Sequence, residues 1–269
     1  MDLGLRGRVA LVTGGSKGIG KAIAYGLARE GCNVAVAARA QSELEAAAQA
    51  IQAETGAETF AFPADLTRTE DANKLVEAVV ARFGRLDILV NNAGAARGGV
   101  IEQLTDEDWV AALQLKFLGY VRCVRAALPH MRRQGKGRVV NLIGNDGVKP
   151  SYWEIAPGAA NAAGQNFTLS MAGQWGRENI TFVAVNPGPV RTERWDGLVR
   201  AMARDMHLSY EEADRLAPRS IPLGRIAEPE EVADLVVFLA SDRAHFINGT
   251  MIEIDGGQEK PLMDALRNG

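Results

Sequence analysis

Thr13-Gly14-Gly15-Ser16-Lys17-Gly18-Ile19-Gly20 follows the apolar run 8–13 and opens the stretch 18–30, where Ile19, Ile23 and Leu27 recur at helical spacing before Gly31. A strand, three spaced glycines and a helix, in that order, make a tight turn. Glycine there lets the backbone approach a pyrophosphate, whose charge meets the helix N-terminus. The strand before and the helix after separate this turn from an isolated glycine triplet.

The alternation continues outward from the turn. Apolar, β-rich runs at 33–38, 59–63, 86–90, 137–142, 180–185 and 250–254 read as strands. Helical patterns at 42–55, 69–83, 106–133, 157–178 and 230–239 separate them. Strands joined through helices must be parallel with right-handed crossovers. Continuous apolar strand runs, rather than alternating ones, imply a sheet covered on both faces. The predicted fold class is α/β, a Rossmann-type doubly wound parallel sheet of about seven strands with helices on both faces. With 269 residues and no linker or repeat, 1–269 reads as one domain.

Charge and composition exclude several function classes. A net charge of −3 gives no basic surface for nucleic acid. No run approaches the roughly 18 apolar residues of a membrane span, and the start, with Asp2 and Gly4, has no signal-peptide pattern. Cys32 and Cys123, each in an apolar pattern, predict no disulfide framework and a reduced, cytoplasmic setting. The three histidines, His130, His207 and His245, have no partner visible in sequence, and no metal site is expected.

Further motifs lie at Asp65-Leu66, Asn91-Asn92-Ala93-Gly94, and Asn186-Pro187-Gly188-Pro189-Val190 followed by Thr192. Others are Pro222-Leu223-Gly224-Arg225, Pro229-Glu230-Glu231-Val232-Ala233 and Asp255-Gly256-Gly257. With the glycine turn, they make the chain resemble the short-chain dehydrogenases/reductases over about residues 5–257. The resemblance implies an NAD(P)(H)-dependent oxidoreductase acting on a small molecule. It also implies a homodimer or homotetramer, with 106–133 and 157–178 at the dimer face. It assigns Gly14, Ser16, Lys17, Gly18, Ile19 and Gly20 to the cofactor, together with Ala93 and Gly94. Asp65 and Leu66 would border the adenine, Asn91 the ribose region, and Pro187, Gly188, Val190 and Thr192 the nicotinamide amide. The segment 192–218, with Trp195, Met202, Met206 and Tyr210, becomes a mobile helical lid with an apolar underside. The tail 259–269 is expected either to reach a neighbouring subunit or to fray.

The second strand ends Ala37-Ala38-Arg39, without the acid that would accept bonds from the adenosine ribose hydroxyls. Arg39 and Lys17 suit a 2′-phosphate instead, which predicts NADP(H) in preference to NAD(H).

The family's catalytic set is Asn, Ser, Tyr and Lys. Neighbouring motifs align those positions with Lys116, Gly144, Pro157 and Asn161. The tyrosines are Tyr25, Tyr120, Tyr152 and Tyr210, and four residues beyond them stand Arg29, Val124, Ala156 and Asp214. No lysine occurs between Lys149 and Lys260, so the longer spacing of family enoyl reductases is missing too. The residues left as catalytic candidates are Lys116, as an ammonium trap for a developing alkoxide, Tyr152, as a phenol, and Asn161, as a ribose contact. Asn145 and Asp146 read as a turn with Gly147. Two readings follow. One is an NADP(H)-dependent oxidoreductase for a carbonyl or alcohol with an atypical active site. The other is a dinucleotide-binding protein with lost or different catalysis, either regulatory or with lyase or isomerase chemistry.

Overall fold

The computed structural model describes residues 1–267; Asn268 and Gly269, the end of the tail considered above, lie outside the described residues. The chain runs β1 (Val9–Thr13), α1 (Gly18–Arg29), β2 (Asn33–Ala38), α2 (Gln41–Thr55), β3 (Thr59–Pro63), α3 (Thr69–Phe83) and β4 (Ile88–Asn91). It continues α4 (Asp106–Ala112), α5 (Leu118–Gln134), β5 (Gly137–Leu142), α6 (Ile155–Trp175) and β6 (Ile180–Pro187). Then come α7 (Glu193–Met206), α8 (Tyr210–Leu216), α9 (Pro229–Ala240), β7 (Thr250–Ile254) and α10 (Leu262–Arg267). The seven strands form one parallel sheet in the order β3-β2-β1-β4-β5-β6-β7.

Strand side chains alternate between two buried faces. In β1, Ala10 and Val12 pack with Ile23 and Leu27 of α1, Leu44 of α2 and Val236 of α9. Val9 and Leu11 point the other way, into a core with Leu75 and Val79 of α3 and Cys123 and Ala127 of α5. Both faces are therefore dry, which is why the strands read as unbroken apolar runs. The chain reverses between β1 and β4, with β2 on one side of β1 and β4 on the other. At such a switch point the loops leave the carboxyl ends of the strands in opposite directions and open a crevice.

The pattern read as one helix over 106–133 is two helices separated by a π-helical turn, Leu113–Phe117. The side chain of Arg122 explains how the wide turn is tolerated. Its guanidinium donates to the Gln114 carbonyl (2.9 Å) and side-chain oxygen (2.6 Å) and to the Leu66 carbonyl (3.1 Å). A carbonyl facing an irregular turn thus keeps a partner. α6 begins at Ile155, two residues before the expected start, which places Pro157 in the first turn, where a missing N–H is tolerated.

The two cysteines are free and buried, and burial pushes both thiols up to about 12. Among the described residues no helix is long and apolar enough to cross a membrane, and no His/Cys/Asp/Glu group has metal-binding geometry. Two of the histidines have partners invisible in the sequence: His130 meets Glu77 and Arg133, and His245 meets Arg138.

Candidate active site

A cleft of about 1130 Å³ opens over the carboxyl ends of β1, β4, β5 and β6. One wall is the glycine turn. Gly14 takes φ +66° and Gly18 φ +53°, backbone that side chains rarely adopt. The Asn91–Gly94 motif braces this turn from below. Thr13 Oγ1 accepts the N–H groups of Asn92 (2.9 Å) and Ala93 (3.1 Å), while Asn92 Nδ2 donates to the carbonyls of Thr13 (3.0 Å) and Gly14 (3.2 Å). The N-terminus of α1 has no side-chain cap and no acid in its first turn. Its free N–H groups and dipole favour an anion there. A Cβ on Gly14 would come within 2.9 Å of Asn92 Nδ2, so the braced turn leaves no room for a side chain there. These features fit a dinucleotide pyrophosphate.

Ser16, Lys17, Ile19, Arg39, Leu66, Ala93 and Gly94 all face this cleft. So do Pro187, Gly188, Val190 and Thr192 on the far side. Lys17 lies 3.6 Å from Glu43, both more than half exposed, so water screens the pair. Asp65 and Asn91 are not among the lining residues. The Asp65 carboxylate accepts the Thr67 N–H (3.0 Å) and hydroxyl (2.8 Å), bonds that lower its pKa. Asn91 is fully buried and donates to Asn141 (2.8 Å), which donates to Thr168 (2.9 Å).

The opposite wall gathers Lys116, Gly144, Asp146, Glu154, Pro157 and Asn161. Lys116 stands in the π turn, and its stem crosses Gly94, where a Cβ would lie 3.1 Å from Lys116 Cγ. Lys116 and Glu154 keep part of their surface in the cleft, yet protein atoms crowd both charged ends. Desolvation lowers the Lys116 pKa from its ordinary value, opposed by the charges of Asp146 and Glu154. Asn161 donates through Nδ2 to Asp146 Oδ1 in a very short contact. Its amide hydrogen therefore points at a carboxylate of its own chain. Asn145 and Asp146 do form a turn with Gly147, but a buried one. Asn145 Nδ2 reaches Gln258 Oε1 (2.7 Å), which ties the turn to the chain beyond β7.

Gly144 is required by this arrangement. Its φ of +148° with ψ 145° lies in a region essentially restricted to glycine. A Cβ would come within 2.6 Å of Asn161 Nδ2 and 2.7 Å of Asp146 Oδ1. Gly144→Ser is expected to lower stability by about 2–3 kcal/mol in urea denaturation. A loss below about 0.5 kcal/mol would mean that the loop adjusts freely.

Tyr152 is not among the residues that line the cleft. It packs on the cluster of Trp153, Trp195, Val199, Met202, Leu262 and Met263, and its N–H donates to Asp264 Oδ1 (3.3 Å). Trp153 takes the place over the cleft. Its ring covers Gly98, where a Cβ would lie 2.3 Å from it, and its Nε1 donates to Asp205 of α7 (2.9 Å). Arg194 of α7 reaches back to the Gly94 carbonyl (3.2 Å). The tail packs on its own chain: Pro261, Leu262 and Met263 line the cleft, and Ser151 donates to Asp264 (2.6 Å). Glu154, Trp153, Arg194 and this tail were missed from sequence. The one available signal was the spacing 154, 157, 161, which places three residues on one helical face.

A family model described as short chain dehydrogenase matches residues 8–203. The chain is 34% identical over 249 residues to the 3-oxoacyl-[acyl-carrier-protein] reductase FabG of Staphylococcus aureus, covering 92% of this chain and 96% of the relative. It is 36% identical over 251 residues to the acetoacetyl-CoA reductase of Shinella zoogloeoides, covering 93% and 98%. Among solved structures, the L-sorbose reductase of Gluconobacter frateurii complexed with NADPH and L-sorbose superposes with a TM-score of 0.91 at 33% identity, covering 97% of this chain and 100% of that one. With seven parallel strands in this order, a matching family model and relatives of this identity along nearly the whole length, the chain belongs to the short chain dehydrogenase family.

Proposed function

We propose that this chain is an NADP(H)-dependent oxidoreductase for a carbonyl or alcohol substrate, working without the family's Asn-Ser-Tyr-Lys set at positions 116, 144, 157 and 161. The observation that carries the reading is the cleft itself. A glycine turn under an uncapped helix N-terminus leads, at one end, to Arg39 and Lys17 and, at the other, to a desolvated lysine among carboxylates. Two curated relatives are reductases of a 3-oxoacyl and an acetoacetyl thioester, and the sorbose reductase structure holds NADPH.

In this reading the bound dinucleotide would supply a hydride, which carries both electrons of the reduction. The α1 N-terminus and the glycine turn hold its pyrophosphate, Arg39 and Lys17 its 2′-phosphate, and Pro187 to Thr192 its amide end. Lys116 offers positive charge to the substrate oxygen. Trp153, Trp195, Leu198 and Met263 give the substrate an apolar ceiling and keep water out. Residues 192–218, with α7 and α8, act as the lid over one dinucleotide-binding domain, and the working form is a homodimer or homotetramer.

The test is a calorimetric and fluorescence titration with NADPH and NADH, followed by NADPH oxidation with acetoacetyl-CoA and L-sorbose as first substrates. Arg39→Ala is expected to weaken NADPH about 10- to 100-fold while changing NADH less than about threefold, since only the phosphate contact is lost. Equal weakening of both would assign Arg39 to the shared part of the cofactor. Binding of neither nucleotide by the native chain would end the oxidoreductase reading. Binding of NADPH with no turnover on a broad carbonyl panel would favour a dinucleotide-binding protein with other work.

A further inference from the structure

The carboxylates around the substrate end of the cleft divide by what they hold. Asp146 accepts from Asn161, Asp255 from Lys149 and Asn145, Asp264 from Ser151 and Tyr152, and Asp205 from Trp153 and Arg204. Each fixes a loop or a helix. The Glu154 carboxylate, among the described residues, accepts no hydrogen bond and makes no close ion pair, although it lines the cleft. Its backbone is nonetheless fixed on three sides. It bridges to Gly99, its N–H donates to Ser151 Oγ (3.3 Å), and its carbonyl accepts the N–H of Gly158 (2.8 Å). It is the residue immediately before α6 and shares a helical face with Pro157 and Asn161, both of which line the same cleft. A rigid backbone that presents an unengaged acid to a substrate cavity is the arrangement expected of a proton donor.

We propose that Glu154 is the proton-transfer group of this site, with Lys116 as its electrostatic partner. The inference rests on the oxidoreductase reading above. In reduction, hydride adds to the carbonyl carbon and the carbonyl π pair moves to oxygen. The Glu154 carboxyl O–H then breaks and its proton goes to that oxygen. The products are the alcohol, oxidised dinucleotide and a Glu154 carboxylate, which regains a proton from solvent. Oxidation runs the same steps backwards.

The groups facing Glu154 come from four elements: Asp146 from the turn after β5, Lys116 from the π turn, Arg194 from α7 and Asp264 from α10. Burial, and next the charge of Asp146, push the Glu154 pKa up to about 7; Asp264 adds to the rise, while Lys116 and Arg194 oppose it. An acid in that range is present in both protonation states at neutral pH, which suits transfer in either direction. The positive charge of Lys116 favours the carboxylate formed in the reaction, which stabilises the product state.

Glu154→Gln keeps the shape and removes the transferable proton. NADPH affinity is expected to stay within about threefold, kcat to fall at least about 100-fold, and the fall of the native rate as pH rises through 7 to disappear. Glu154→Asp, which keeps a shorter carboxyl, is expected to retain that pH limb at a reduced rate, and serves if the glutamine variant does not fold. A substrate-free measurement runs alongside. Infrared difference spectra across neutral pH are expected to show a protonated carboxyl band in the native protein that Glu154→Gln deletes. A panel substrate turned over equally well by Glu154→Gln with an unchanged pH profile overturns the inference alone, as does the absence of any band lost in that variant. Native protein that binds NADPH, shows the band and reduces no carbonyl overturns the oxidoreductase reading and the transfer step together.

Discussion

Gly20→Ala is expected to destabilise the fold by about 3 kcal/mol and to abolish measurable NADPH binding, because the added methyl has nowhere to go. A Cβ at Gly20 would sit 2.2 Å from the Gly14 carbonyl oxygen and 2.4 Å from Asn92 Nδ2. Neither neighbour is the free end of a flexible side chain. The Gly14 N–H donates to the Ala37 carbonyl (2.7 Å), and the Asn92 amide spans the carbonyls of Thr13 and Gly14. Relief therefore requires α1 to move away from β1, which opens the cradle and displaces the N–H groups aimed at the pyrophosphate. Urea denaturation gives the first quantity and calorimetry with NADPH the second. A variant that loses less than about 1 kcal/mol and still binds NADPH would show that the turn is not packed as described.

Lys116→Met is expected to lower kcat about 100-fold or more with NADPH affinity nearly unchanged, since methionine fills the volume over Gly94 without the charge. The pH profile makes the prediction specific. Lys116 is the first of the two cations that hold the Glu154 pKa down. Removing it raises that pKa further, so the acid stays protonated to higher pH and the descending limb of the rate profile moves to the alkaline side. Glu154→Gln abolishes the limb, whereas Lys116→Met displaces it. Lys116→Ala should show the same displacement with an added packing loss. Activity that survives both substitutions with an unmoved limb would remove Lys116 from the chemistry and leave it as a wall of the cleft.

Much of the fold was legible because the inner strands are buried on both faces and the helices along one. The runs at 33–38, 59–63, 137–142 and 250–254 coincide with β2, β3, β5 and β7 residue for residue, and 69–83 coincides with α3. The break inside 106–133 was not legible. Helical periodicity continues through Leu113–Phe117, and what stabilises the π turn is the Arg122 guanidinium on Gln114, a contact made across the fold with Leu66. The tail was equally opaque: Leu262 and Met263 are short apolar signals whose burial depends on Trp153 and Trp195 being nearby.

By itself the sequence determined the parallel sheet, the glycine cradle and the absence of any tyrosine followed four residues later by lysine, because these depend on local periodicity, backbone conformation and composition. The tertiary structure alone decided which side chains face one another in the cleft. Asn161 is turned to Asp146, Gly144 is fixed by that pair, and Tyr152 packs on the cluster of Trp153, Trp195 and Met202, leaving Glu154 facing the cavity. The reason is physical: a carboxylate's proton affinity and its partners depend on desolvation and on charges brought from four distant segments, and no spacing along the chain records those distances.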